Sequence, residues 1–146
     1  YEPITGDYVK LGPGIWCEDK AGAGEISAQS IVKFSGKKDR FDQAVGQGWF
    51  VIAVNCSTLN LLEPSQLKIL KSLDGRLLSI GPKRFEYDVV DINGFYADWM
   101  EKIDANYLII RPDFYVAASA KTAPELSHCF DRVIGMLKLE TEIKVL

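Results

Sequence analysis

Residues 49–54, Trp49-Phe50-Val51-Ile52-Ala53-Val54, form an unbroken apolar run rich in β-favouring side chains, and no other feature limits the fold so sharply. A strand with one wet face alternates polar and apolar residues. One without alternation is covered on both faces, so the run predicts a central strand with other layers packed above and below it. At 146 residues, 47% of them hydrophobic, the chain is long enough to build such a core as one domain.

The flanking segments supply the other elements. Ile31, Val32 and Phe34 predict a short strand that stops at the polar turn Ser35-Gly36-Lys37-Lys38, and residues 40–45 one helical turn before Gly46. Pro64 opens a helix carrying Leu67, Leu70 and Leu73, closed at Asp74-Gly75, where the glycine can take the left-handed cap. Residues 76–80 predict a second apolar strand and 87–92 a weaker third. Asn93 is placed to cap a helix with Phe95, Trp99 and Ile103 on one face. Residues 107–110 and 114–118 flank Arg111-Pro112-Asp113, and a proline corner between two apolar runs predicts an antiparallel hairpin. Thr122-Ala123-Pro124-Glu125 has the form of a capping box, with Leu126, Phe130, Val133 and Leu137 on one helical face behind it. The order from residue 49 is thus β-α-β, a second helix, a hairpin and a closing helix: an α/β, thioredoxin-like mixed sheet flanked by helices, without a CxxC pair. Residues 1–29, dense in glycine, are expected to be a connecting or wrapping arm, 30–138 the domain, and 139–146 a C-terminal tail. With no initiating methionine ahead of Tyr1, the chain is expected to be a piece of a longer polypeptide.

Charge and composition narrow the function. A net charge of -3 and a pI near 5.2 supply no basic surface for nucleic acid. No apolar run approaches the roughly 20 residues that span a bilayer, so no membrane partner is expected. Cys17, Cys56 and Cys129 are an odd number at spacings that write neither a disulfide framework nor a zinc or redox pair, and a reducing cytoplasm is the expected compartment. Cys56-Ser57-Thr58-Leu59 falls about where a thioredoxin-like fold carries its redox pair, but the second cysteine is missing, and Asp104-Ala105-Asn106 stands where the cis-proline would be. A buried or idle Cys56 is the plainer reading. His128, the only histidine, projects about 100° away from Cys129 on a helix and forms no pair with it. Asp88, Asp91, Asp39 and Asp42 are read as a solvated face, not a metal site. Gly12-Pro13-Gly14, Gly22-Ala23-Gly24 and Gly46-Gln47-Gly48 each lack the third glycine of a dinucleotide cradle. Trp49, Phe50, Phe95, Trp99 and Phe130 are expected in the core, and Arg111, Pro112 and Asp113 are read as a structural turn. No catalytic, cofactor-binding or metal-binding residue is assigned.

Two segments carry a resemblance. Gly24-x-x-x-x-Gln29 followed by Arg40-Phe41-Asp42-Gln43-Ala44-Val45-Gly46-Gln47-Gly48-Trp49-Phe50-Val51-Ile52, and then Leu108-Ile109-Ile110-Arg111-Pro112-Asp113-Phe114-Tyr115-Val116-Ala117, resemble the C-terminal, thioredoxin-like domain of flavin-dependent aromatic-ring hydroxylases of the phenol hydroxylase and 3-(3-hydroxyphenyl)propionate hydroxylase type. The resemblance covers roughly residues 22–137. Ala23 and Ala28 replace prolines of that pattern, and Phe114 stands where glycine is usual. What the resemblance implies is a parent enzyme using FAD and NAD(P)H to hydroxylate a phenolic ring. This chain would then be a non-catalytic domain that binds no cofactor itself and contacts the catalytic domain of the parent chain or a second copy in a homodimer. The rivals are a free-standing thiol oxidoreductase using Cys56 and a small adaptor that reuses the fold.

Overall fold

A computed structural model describes residues 15–83 and 86–145, except for the side chains of residues 139–145. The elements run β1 (Ile31–Phe34), β2 (Lys37–Arg40), α1 (Phe41–Ala44), β3 (Phe50–Val54), α2 (Pro64–Ser72), β4 (Arg76–Gly81), β5 (Val89–Asp91), α3 (Phe95–Ile103), β6 (Tyr107–Ile110), β7 (Val116–Ala120) and α4 (Ala123–Val145). The strands form one seven-stranded sheet in the order β2-β1-β5-β4-β3-β6-β7. Pairing is parallel for β3 with β4 and β4 with β5, and antiparallel for β1 with β2, β1 with β5, β3 with β6, and β6 with β7.

The apolar run is the interior strand that its composition predicts, with all five residues of β3 buried. Its side chains alternate between two cores. Phe50, Ile52 and Val54 join Phe41, Tyr96 and Met100 on the face that carries α1 and α3, while Val51 and Ala53 join Leu70, Leu126, Phe130 and Val133 beneath α2 and α4. Burying a side chain of Leu or Phe size removes roughly 2–3 kcal/mol of apolar exposure, so β3 anchors both layers at once. The buried Gln66 ties α2 to α4, its amide donating to Ser127 Oγ (2.9 Å) and Asp131 Oδ1 (3.0 Å). The mixed sheet with helices on both faces bears out the expected fold class.

Several local expectations are corrected. Lys37 and Lys38 open β2, because Ser35 and Gly36 alone make the turn, both at positive φ (49° and 81°). At the end of α2 the left-handed residue is Asp74 (φ 56°) and not Gly75. Gly75 is needed for space instead, since a Cβ there would come within 2.3 Å of Leu70 Cδ1 and 3.0 Å of its carbonyl oxygen. Asn93 does not cap α3. Gly94 occupies the N-cap position, and the Asp91 carboxylate accepts the Phe95 and Tyr96 N–H groups at 3.2 and 3.0 Å. Asp91 is therefore a buried capping residue and not part of a solvated face. The inner face of α3 is Tyr96 and Met100 with Trp99 and Ile103 beside them, which turns Phe95, expected in the core, out to 46% exposure. β7 runs from Val116 to Ala120, two residues later than the sequence indicates, because Phe114 and Tyr115 belong to the turn. α4 carries Leu126, Phe130 and Val133 inward as predicted and continues through residues 139–145.

The arm is described from residue 15, and Tyr1, Ile4, Tyr8 and Val9 lie outside the described residues. From Cys17 to Ser27 it follows the free edge of β7: Cys17 N–H donates to Ala117 O (2.7 Å), Gly24 N–H to Val116 O (2.8 Å), Val116 N–H to Glu25 O (2.8 Å) and Ser27 N–H to Phe114 O (2.6 Å). These bonds cover a sheet edge that would otherwise be open to pairing. Gly24 is at φ +83°, and a Cβ there would press within 3.1 Å of the Trp16 indole.

Candidate functional site

The two segments singled out in the sequence meet at one end of the sheet. Because β3 and β6 are antiparallel with Phe50 opposite Ile110, the loop before β3 lies beside the turn after β6. Gln47 Nε2 donates to the Pro112 carbonyl at 2.9 Å. Behind that contact the Phe41 ring packs edge-on against Phe50 (5.3 Å) and Phe114 (6.4 Å) and at a tilt against Tyr96 (6.1 Å). Gln29 Oε1 accepts the Asp42 N–H (2.8 Å), which fastens the first half of the pattern to itself. Arg76 reaches the Val45 carbonyl and lies over the Phe50 ring at 5.0 Å.

The turn itself is a three-residue hairpin loop. Phe114 N–H donates to the Arg111 carbonyl (2.9 Å), which places Pro112 at the corner where its fixed φ fits. Arg111 N–H donates to the Tyr115 carbonyl (2.9 Å) to close the loop, and Phe114 takes the left-handed conformation (φ 67°) of a hairpin bulge. Glycine suits that position best. Here the buried Phe114 ring offsets the strain by packing on Phe41. Arg111 is buried, its Nε and a terminal nitrogen donating to the two carboxylate oxygens of Asp113 (3.1 and 2.5 Å), and Trp16 and Tyr115 lie by the guanidinium at 5.7 Å. Asp113 Oδ1 also accepts the Tyr115 N–H (3.2 Å). The planar fork that could clamp a substrate carboxylate already grips a carboxylate two residues away.

The opposite end of the sheet carries Cys56. Asn55 and Cys56 leave β3 into a loop of residues 55–63, and α2 begins only at Pro64, so the helix N-terminus that would acidify a redox thiol stands well along the chain from it. Cys56 Sγ lies 3.8 Å from the Asn106 carbonyl, so the fold does bring it opposite the segment where a cis-proline would stand. Burial pushes its thiol up, a hydrogen bond from Tyr107 only partly offsetting this. A protonated thiol is a poor nucleophile. A cleft of about 380 Å³ opens beside it, lined by Ser57, Thr58, Ser79, Tyr87 and Asp88 among others. Asp88 Oδ2 is engaged there by Ser79 N–H and Oγ at 2.9 and 3.2 Å. His128 is exposed while its neighbour Cys129 is buried, as their helical offset requires. Among the described residues no cluster of three metal-ligating side chains occurs, and no helix is long and apolar enough to cross a membrane.

Sequence reasoning missed one grouping. Cys17 and Cys129, set aside as unpaired, are buried together, and the only available signal was the odd thiol count.

The model of the HcaD C-terminal domain family matches residues 24–134. A probable NADH-specific resorcinol 4-hydroxylase of Rhodococcus jostii is 28% identical over 109 residues, which cover 73% of this chain and 21% of that protein. The chain thus spans about a fifth of the length of the curated relative it matches. Among solved structures, the flavin-dependent monooxygenase PieE, in complex with FAD and substrate, aligns over 80% of this chain and 20% of its own, with a TM-score of 0.59 and 13% identity. A thioredoxin-like protein from Bacteroides caccae aligns over 75% of this chain and 48% of its own, with a TM-score of 0.52 and 12% identity. At these identities the two structures bear on the fold alone.

Proposed function

Because the chain belongs to the HcaD C-terminal domain family, we propose that it is the non-catalytic C-terminal domain of a flavin-dependent aromatic hydroxylase. In this reading FAD, NADH or NADPH, and a phenolic substrate are handled by other parts of the parent protein. The domain contacts that catalytic region or a second subunit, in the cytoplasm. The observation that carries the reading is the match over residues 24–134 together with a hydroxylase relative of which it accounts for 21%. The site geometry supports it. Arg111 grips Asp113, and the Cys56 thiol is held protonated by burial, so the two places where chemistry would be sought in this fold are occupied or quiet. Shape without a reactive centre suits a contact surface. Among the described residues, Leu59, Ile92 and Phe95, exposed at 80%, 40% and 46%, are the large apolar side chains available to it.

The test is spectroscopic and hydrodynamic. The purified chain is expected to be colourless, to oxidise no NADH in the presence of resorcinol, and to sediment increasingly as a dimer over a hundredfold concentration range. Flavin absorbance that stays with the chain through gel filtration would overturn the non-catalytic assignment. A single monomer boundary for both the chain and its full-length parent would remove the subunit-contact role.

A further inference from the structure

The fold brings Cys17 and Cys129 together from opposite ends of the domain. Cys17 lies in the arm, its N–H fixed to the Ala117 carbonyl at 2.7 Å, and Cys129 lies in α4. Both side chains are fully buried in the same apolar cluster, and both thiols are free. On α4, Glu125, Cys129 and Arg132 stand at i, i+4 and i+7, one stripe of the helix. The arm meets that stripe residue for residue. Lys20 Nζ donates to Glu125 at 2.7 Å and Arg132 donates to both carboxylate oxygens of Asp19 at 2.7 and 3.3 Å, so two ion pairs clamp the arm to the helix on which Cys129 is buried in the same cluster as Cys17.

That contact gives the two sulfurs different characters. The hydrogen bond from Cys129 pulls the Cys17 thiol down to about 7 against the effect of burial, with the Arg132 charge helping, while the same bond and burial push Cys129 up. The first proton therefore leaves the pair easily, and the second is held while Cys17 is a thiolate; conversion of Cys17 to a neutral sulfenic acid removes that charge and frees the Cys129 thiol to ionise and attack.

We propose that Cys17 and Cys129 form a dithiol clasp, in which oxidation by a hydroperoxide closes a disulfide that fastens the arm to α4. The Cys17 thiolate attacks one peroxide oxygen, the O–O bond breaks, and hydroxide leaves a sulfenic acid on Cys17. The Cys129 sulfur then attacks that sulfur, the S–O bond breaks, and the thiol proton departs with the hydroxyl as water. Summed for hydrogen peroxide, two thiols and one peroxide give one disulfide and two waters, and a dithiol reductant returns the pair. Access is governed by the arm. Both sulfurs are buried, so the peroxide reaches them through local opening of the arm, which must break the Cys17 N–H bond to Ala117 and the rim ion pairs; the latter are weak restraints, with Asp19 and Arg132 side chains 62% and 32% exposed. Closing the bond spans nearly the whole domain, the loop length at which a disulfide constrains the unfolded chain most.

The chain is reduced, treated with hydrogen peroxide, alkylated, digested under non-reducing conditions and mapped by mass spectrometry, with melting followed in parallel. The expected product is a Cys17–Cys129 linked peptide with Cys56 recovered alkylated, and a melting temperature raised by roughly 5 °C or more that dithiothreitol reverses. Cys56→Ser is expected to give the same map. Cys129→Ser should abolish the link, and since that variant alters a core position, the map of the unsubstituted chain decides alone. Recovery of Cys17 and Cys129 as free thiols after denaturation, a link that includes Cys56, oxidation of Cys17 to the sulfinic acid without a link, or a link that leaves the melting temperature unchanged would each overturn the clasp.

Discussion

The two ends of β3 are built differently. At Phe50 the strand enters a cluster of rings and a closed hairpin turn, where Phe41, Phe114 and Tyr96 interlock and Arg111 grips Asp113. At Val54 it leaves into an open loop carrying a half-buried thiol beside a polar cleft. A thioredoxin-like sheet would place its chemistry at the second end, yet the two segments singled out in the sequence, residues 40–52 and 108–117, meet at the first. At the first end the side chains hold strands in register, and at the second the thiol is held protonated by burial. One end is packed and the other open, and substitutions at the two ends should differ in effect accordingly.

The largest effect is expected at the packed end. Phe41 is 3% exposed and its ring touches three others, so Phe41→Ala removes a full aromatic side chain and leaves a cavity that four elements cannot easily close over. A loss of about 3–5 kcal/mol is expected, read as a shift in the urea midpoint at constant slope. A shift as small as that of a surface substitution would mean that the ring cluster is not what joins α1 to the sheet.

Next comes Asp113→Ala. The carboxylate accepts two guanidinium bonds from the buried Arg111 and the Tyr115 N–H, so its loss is expected to cost about 2–3 kcal/mol, by the scale of hydrogen bonds to charged groups. Asp113→Asn should recover part of that, because one amide oxygen can still accept. If both variants melt with the parent and either one loses affinity for a carboxylate ligand, the turn would have to be reassigned from structure to binding.

Phe114→Gly separates two opposing terms at the same end. Glycine relieves a left-handed residue, a gain of about 1–2 kcal/mol, but deletes a buried ring worth about 3–5 kcal/mol. A net loss of roughly 1–4 kcal/mol is expected, smaller than that of Phe41→Ala by the strain relieved although the rings are alike. Equal losses would show that the bulge carries no strain.

The layered fold was legible because its signals are local: an unalternated apolar run, a proline corner and a capping pattern each carry their own meaning. The misreadings lay where tertiary geometry decides. Asp91 reads as a solvated acid until β5 and α3 meet at Gly94, and only then does its carboxylate become the cap that Asn93 was expected to supply. Phe95 has the correct helical spacing for the core, but helix rotation is set by Tyr96 and Met100 against the sheet. The approach of Cys17 to Cys129 depends on the arm lying along β7, and no periodicity in the sequence encodes that.

The smallest effect is expected at the open end, from Cys56→Ser. The substitution exchanges a thiol for a smaller, less polarizable hydroxyl, at a position where the thiol meets the Asn106 carbonyl at 3.8 Å, the Tyr107 side chain and the Val54 backbone. A serine hydroxyl can donate to the same carbonyl after a small rotation, so stability should stay within about 1 kcal/mol of the parent. Function should also be indifferent. Burial holds the thiol protonated at neutral pH, α2 begins eight residues on, and the contacts of Cys56 include no second sulfur, so the thiolate that exchange chemistry needs is scarce and nothing stands ready to resolve a mixed disulfide. An insulin-reduction assay with dithiothreitol as electron donor should therefore give the same slow turbidity for parent and variant. Faster reduction by the parent, lost in the variant, would restore chemistry to this end of β3 and reverse the contrast between the two.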